Sequence, residues 1–237
     1  MELKNDLHYS LDLFNEFQHK DFSENVNSLS LPRKFLVKAI KEEQKEIELI
    51  RSNINEDEVI GIAVYLKDNQ HIKSLYFENN NINDRGATAL AQALKINFSL
   101  AKLDLRVNKI THNGCQALAD ALVVNSLLEE LWLNNNPVGD QGIQYLANAL
   151  KSNISLLSLH VSYTDCGNKG AIALSEALKV NRQLKKLYIQ GNNIDHQGCQ
   201  ALIQAMNLNS RAKLWLLHNN LTLEDKNNFK RRFGSIK

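Results

Sequence analysis

One series of residue types recurs along this chain at a fixed interval, and such recurrence constrains the fold more than any local propensity. Residues 100–125 read LAKLDLRVNKITHNGCQALADALVVN. Leu100, Leu103 and Leu105 alternate apolar with polar, as a short half-buried strand does. Asn108 and Ile110 follow, then Gly114, then Leu118 and Leu122 four apart on one helix face. The same order restarts at Leu128 with Leu131, Leu133, Asn136, Val138, Gly142, Leu146, Leu150 and Asn153, so Leu103 and Leu131 stand 28 residues apart. A period of roughly 20–50 residues marks a solenoid, in which each unit buries its apolar face against its neighbours.

The repeat runs through most of the chain. A degenerate first unit carries Ile47 and Leu49 at the strand positions, then Ile54, then Ile62 and Leu66 on the helix face and Asn69 at its close. Five full units follow. The first has Leu75, Phe77, Asn80, Ile82, Gly86, Leu90, Leu94 and Asn97, and the second and third are those above. The fourth has Leu159, Val161, Cys166, Gly170, Leu174, Leu178 and Asn181; the fifth has Leu187, Ile189, Asn192, Ile194, Gly198, Leu202, Met206 and Asn209. A truncated sixth is expected from Trp215, Leu217 and Asn220, which turns Leu216 outward.

This divides the chain into a helical N-terminal cap or docking segment at 1–45, repeats at 46–222 and a C-terminal cap at 223–237. In the first segment Leu7, Leu11, Phe14 and Phe17 keep helical spacing. Pro32 opens a second helix with Phe35, Leu36, Ala39 and Ile40 as its apolar face. An open solenoid needs such covers at its ends. In the tail, Phe229 and Phe233 are four apart, which predicts a helix closing the last strand's edge.

Each repeated residue type has a job. The strand leucines meet the helix leucines in a core between two layers. Asn80, Asn108, Asn136, Asn192 and Asn220 fall where the chain leaves the strand, where a buried amide can bond backbone groups that the bend leaves unpaired. Thr164 stands in this column in the fourth unit, so the ladder should be weaker there. The glycines are expected to let the backbone turn sharply into each helix.

The pattern LxxLxLxxNxIxxxGxxxLxxxLxxN resembles the ribonuclease-inhibitor type of leucine-rich repeat, a subtype also found in Ran GTPase-activating protein and the sensor domains of NOD-like receptors. The resemblance covers residues 47–220. It implies an α/β horseshoe solenoid with a parallel concave sheet and outer helices. It also implies a platform rather than any one activity. Residues 29–40, LSLPRKFLVKAI, resemble the opening of an F-box, whose remainder is missing.

Charge and cysteines narrow the setting. A net charge of +2 supplies no basic field for nucleic acid. No apolar run nears the ~20 residues that span a bilayer, and no basic start with an apolar stretch marks a signal peptide. The three cysteines form no CxxC. Cys115 and Cys199 share a repeat position three units apart, roughly 15 Å at ~4.8 Å per strand, too far for a disulfide. Cys166 falls in an apolar column. These features predict a cytoplasmic monomer. Small Asn- and Lys-rich horseshoes also resemble effectors that intracellular bacteria deliver into host cells, where the setting would be the host cytoplasm.

The outward strand positions should carry function. The residue between the second and third strand leucines gives one column: Tyr76, Asp104, Trp132, His160, Tyr188 and Leu216. Large aromatics on a concave surface are the usual anchors of protein interfaces. The next column holds Glu78, Arg106, Asn134, Ser162, Gln190 and His218. Glu129 and Glu130 precede Trp132, while Lys185 and Lys186 precede Tyr188, so an acidic centre and a basic C-terminal part would register a partner. The expected partner-binding set is Tyr76, Asp104, Arg106, Glu130, Trp132, His160, Lys186 and Tyr188.

No GxSxG, HExxH or phosphate-cradling glycine loop is present. His160 and His218 lie two units apart with no third ligand. No catalytic residue, metal or cofactor is therefore expected. Cys115 follows Gly114 at a helix start, where a thiol pKa can fall, yet no histidine–acid pair adjoins it. The expected function is a non-catalytic module binding a partner protein on the concave face. The alternative, by resemblance to Ran GTPase-activating protein, is a regulator of a small GTPase, with Arg106 as the sole concave arginine.

Overall fold

The repeat predicts one strand and one helix per unit, stacked in sequence order. The computed structural model has that form. It describes residues 44–209 and 211–233. The N-terminal cap expected over 1–45, with its F-box-like stretch, lies outside the described residues but for its last two positions.

Seven strands of three residues form one sheet: β1 Glu46–Glu48, β2 Ser74–Tyr76, β3 Lys102–Asp104, β4 Glu130–Trp132, β5 Ser158–His160, β6 Lys186–Tyr188 and β7 Lys213–Trp215. They are parallel and lie in sequence order. The helices between them are α1 Glu56–Asp68, α2 Asp84–Leu94, α3 His112–Val124, α4 Gly139–Leu150, α5 Asn168–Val180 and α6 His196–Leu208, and α7 Leu223–Phe233 follows β7. The architecture is an α/β solenoid, one sheet backed by one layer of helices.

Each strand puts its central residue inward. Ile47, Leu75, Leu103, Leu131, Leu159 and Leu187 are buried against Leu66, Leu94, Leu122, Leu150 and Leu178 of the helices. The degenerate first unit therefore packs like the others. The register departs from expectation only at the end. Leu187 pairs with Leu214 and Tyr188 with Trp215, so the last unit is one residue shorter than the rest. That slip reverses every side chain in the strand. Leu216, expected outward, is fully buried, and Trp215 takes the outward place.

The asparagine ladder at the strand exits is present. Asn136 donates through Nδ2 to the carbonyls of Leu105 at 2.8 Å and Leu133 at 3.0 Å, and its Oδ1 accepts from the N–H of Ile110 at 3.0 Å. Each such amide thus ties its own bend to the preceding unit. The same slip makes Asn219, not Asn220, the last rung, with bonds to the carbonyls of Ile189 and Leu216. Thr164 gives a different rung: its hydroxyl donates to the carbonyl of Val161 at 2.8 Å and, more weakly, to Oδ1 of Asn192 in the following unit at 3.3 Å.

A second ladder runs along the helix exits. Asn97, Asn125, Asn153, Asn181 and Asn209 are all buried. Asn181 donates to the carbonyls of Leu150 at 2.6 Å and Asn153 at 3.1 Å and accepts from the N–H groups of Gln183 at 2.9 Å and Leu184 at 2.8 Å. It satisfies the last carbonyls of the preceding helix, which otherwise have no partner.

The glycines at the helix starts are not turn residues. Gly114 lies within α3, and a Cβ there would sit 2.9 Å from Cγ2 of Ile110 and 3.0 Å from Cβ of Ala87. The constraint is the close approach of neighbouring units. The sharp turn falls elsewhere, at the residue before each strand-exit rung. Asn79, Val107, Asn135, Tyr163, Gly191 and His218 all have φ between +55° and +62° there. Asparagine and glycine suit that conformation; Val107, β-branched, is strained in it.

The C-terminal helix α7 buries Phe229, whose ring meets that of Phe233 in a tilted contact at 5.1 Å. It docks on the helix layer: buried Asp225 meets Nδ1 of His196 at 2.8 Å and accepts from Gln200 at 3.1 Å and from the hydroxyl of Thr222 at 2.7 Å. Burial works against the Asp225 carboxylate, but these hydrogen bonds outweigh it and hold its pKa below the ordinary carboxylate range.

Candidate functional site: the open face of the sheet

The first and third residues of each strand point away from the helices, so the sheet presents ordered columns on its open face. The middle column is a run of rings. Tyr76 and Trp132 have centroids 6.5 Å apart across β3, Trp132 and His160 are 5.2 Å apart, and His160–Tyr188 and Tyr188–Trp215 are each 4.1 Å apart. The last two pairs are nearly parallel stacks, tilted by 13° and 15°. Parallel strands in register place equivalent residues one strand spacing apart; His160, Tyr188 and Trp215 fill that spacing face to face, while Trp132 is tilted by 36° against His160. Tyr76, Trp132, His160 and Tyr188 were readable from the period. Trp215 was not, because the last unit is one residue short; a second tryptophan beside the final strand was the available signal.

Asp104 occupies the one non-aromatic position between Tyr76 and Trp132. It belongs to the outward column as expected, yet it is only 1% exposed. Arg106 covers it, donating through Nε at 2.9 Å and Nη2 at 2.6 Å to its carboxylate, and Nη2 also reaches Glu78 at 2.8 Å. The fork geometry suits a bidentate pair. Hydrogen bonding to Asp104 raises the pKa of Arg106 against the opposing effect of burial. Asp104 is thus not a free contact residue, and Arg106 is engaged by two carboxylates rather than held out toward a partner. That pairing gives the GTPase-regulator alternative no unpaired arginine on this face.

Glu130 lies within 3.5 Å of Lys102 on the neighbouring strand. The acidic centre is therefore partly neutralised. Lys186 and Lys213 are cross-strand neighbours on β6 and β7, both exposed. Neither has an ion-pair partner among the described residues. His160 lies between these features, its Nε2 2.9 Å from the Ser158 hydroxyl. Burial, with Arg106 and Lys186 adding repulsion, lowers its pKa to about 4. The ladder is neutral at pH 7.

Beside Tyr188 the face sinks into an open depression of about 320 Å³ lined by Asn134, Ser162, Tyr163, Gln190, Leu217 and His218. Ser162 donates to Gln190 Oε1 at 2.7 Å. Oδ1 of Asn134 is buried with no hydrogen-bond partner among the described residues. Leu217, not His218, continues the outer column, again because of the short last unit.

The cysteines are free and buried. Burial raises the pKa of Cys115, with Asp84 adding to the effect, so its place near a helix start does not activate it. The Cys199 thiol is likewise pushed up to about 12. Among the described residues, no group of three or more His, Cys, Asp or Glu side chains is placed to hold a metal ion, and no helix is long and apolar enough to cross a membrane.

The sequence matches a leucine-rich-repeat family model five times, over residues 68–91, 97–119, 124–147, 152–175 and 180–202. No curated protein sequence matches it significantly. Among solved structures, actin-binding site 2 of leiomodin-1 superposes with a TM-score of 0.51 at 23% identity, over 78% of this chain and 90% of that one. The tropomodulin C-terminal domain from Caenorhabditis elegans gives 0.53 at 20% identity, over 64% and 93%. At such identities the likeness is one of fold. Five tandem matches, each holding the same strand, bend and helix stacked in register, make this chain a leucine-rich-repeat protein.

Proposed function

We propose that this protein is a non-catalytic interaction module that binds a partner protein across the open face of its sheet. The observation that carries this reading is the continuous aromatic run from Trp132 through His160 and Tyr188 to Trp215, half buried on a surface the fold leaves uncovered among the described residues. Core packing does not require these rings, because the strand leucines beneath them already fill the core. Rigid aromatics in register give large contact area at little entropic cost.

Leiomodin-1's matched region is an actin-binding site, which makes actin the first named protein to try. The setting expected from sequence, a bacterial effector meeting a host protein, points to eukaryotic cytosol as the source of others. The experiment is capture from eukaryotic lysate with wild type beside a Trp132/Tyr188/Trp215 triple-alanine variant, together with direct titration of purified actin. A partner held by wild type and lost by the variant supports the reading. Equal retention by both places binding elsewhere and overturns it.

A further inference from the structure

The two ends of the open face carry opposite charge. On β1 and β2 and in the outer column beside them stand Glu46, Glu48 and Glu78, with Arg106 already committed to Asp104 and Glu78. On β5, β6 and β7 no open-face position is acidic. There Lys186 and Lys213 flank the stacked pair Tyr188 and Trp215.

The stack itself has a charge preference. Tyr188 is covered on both faces by His160 and Trp215, so it offers its edge to an incoming group, and the stack as a whole presents mainly ring edges. Ring edges are the electropositive part of an aromatic and favour anions and carbonyl oxygens over cations. The adjoining depression adds a different requirement, because the buried Oδ1 of Asn134 accepts nothing at present and calls for an N–H donor.

From these three features we infer that the C-terminal half of the open face, β5 to β7, is a docking site for an acidic, extended segment of the partner protein. Its carboxylates lie over Lys186 and Lys213, its apolar or aromatic side chains rest on the ring edges, and a backbone N–H donates to Asn134. The inference rests on the protein-binding reading above and adds the partner's chemistry and direction. A segment crossing all seven strands spans about 29 Å, roughly nine extended residues. The acidic end of the face sets its polarity: carboxylates over β6 and β7, any basic residues over β1 and β2. A nucleic acid is disfavoured, because both faces of Tyr188, on which a base would stack, are already occupied by His160 and Trp215.

The test uses the full chain and two fluorescent nine-residue peptides, one alternating glutamate with tyrosine and one alternating lysine with tyrosine, read by anisotropy at low and physiological salt. The glutamate peptide is expected to bind wild type at least ~10-fold more tightly than the lysine peptide, with affinity falling as salt rises. The Lys186→Glu/Lys213→Glu variant is expected to reverse that preference. Asn134→Leu is expected to weaken the glutamate peptide a few-fold with an unchanged thermal midpoint. No preference in wild type, or a preference unmoved by charge reversal, overturns the inference. If the triple-alanine variant still binds the glutamate peptide as wild type does, the lysines act alone and the inference also fails. If that variant loses both peptides equally while wild type binds both equally, acidic selectivity fails but the protein-binding reading stands.

Discussion

The strand-exit asparagine ladder and the ring ladder of the open face are built from opposite chemistry for opposite ends. Beneath the bend, asparagine amides such as Asn136 are buried and spend every hydrogen-bonding group on backbone from two units. On the open face, rings from Trp132 to Trp215 lie against one another across the strands and are half exposed. A sharper contrast lies within one unit. Asn134 and Asn136 are the same residue two positions apart, one with a buried oxygen that has no partner among the described residues, the other with none idle. The same 28-residue period orders both ladders, so regular recurrence alone does not distinguish what holds the fold from what the fold presents.

The largest effect should come from breaking the buried ladder. Asn136→Leu strands the carbonyls of Leu105 and Leu133 and the N–H of Ile110, and should cost about 3 kcal/mol. A thermal midpoint lower by about 10 °C is expected in calorimetry; a midpoint like wild type's would remove the ladder from the stability account. Asn134→Leu in the same experiment should move the midpoint hardly at all.

Truncating the open ladder should do the reverse. Trp132→Ala or Tyr188→Ala should weaken partner binding by more than ~1 kcal/mol. The lost ring stacking should lower stability by no more than about 1 kcal/mol. A large drop in midpoint with unchanged affinity would make the rings structural.

The next effect follows from His160. Its folded-state pKa, about 4, lies below the 6.5 of a free histidine. As pH falls through the window between these values, the unfolded chain takes up a proton that the folded one resists, so stability should fall there. The His160→Gln variant should lose less midpoint than wild type between pH 7 and pH 4.5. Parallel losses would mean His160 titrates normally.

The smallest effect should be at the turn. Val107→Asn replaces a strained left-handed valine with a residue that tolerates φ near +55°, and should stabilise by about 0.5–1 kcal/mol. An unchanged or lower midpoint would show that the valine's packing outweighs its strain.

Much of this was legible in the sequence because a period fixes which residues share a column. The core leucines, the strand-exit asparagines and four of the five ladder rings followed from it. That Asp104 and Arg106 share a face was legible, since residues two apart on a strand do, but whether their side chains meet depends on rotamers that no pattern carries. The helix-exit asparagines were visible as unit endings without a task, because their partners sit about thirty residues away in the unit before. Trp215 and Asn219 were missed because a single missing residue inverts a strand, and turn lengths leave no mark in composition.

The sequence by itself determined the repeat, and with it the layers, the strand order and the apolar interior, since those depend only on period and on burying leucine. Tertiary structure alone decided which outward residues are free. Asp104, Arg106, Glu130 and Lys186 look alike as charges in a sequence, but the first is sealed under the second, the third leans on Lys102, and the fourth has no ion-pair partner among the described residues. Ion pairing and ring stacking depend on distances of a few ångströms between units, and those distances exist only once the units have stacked.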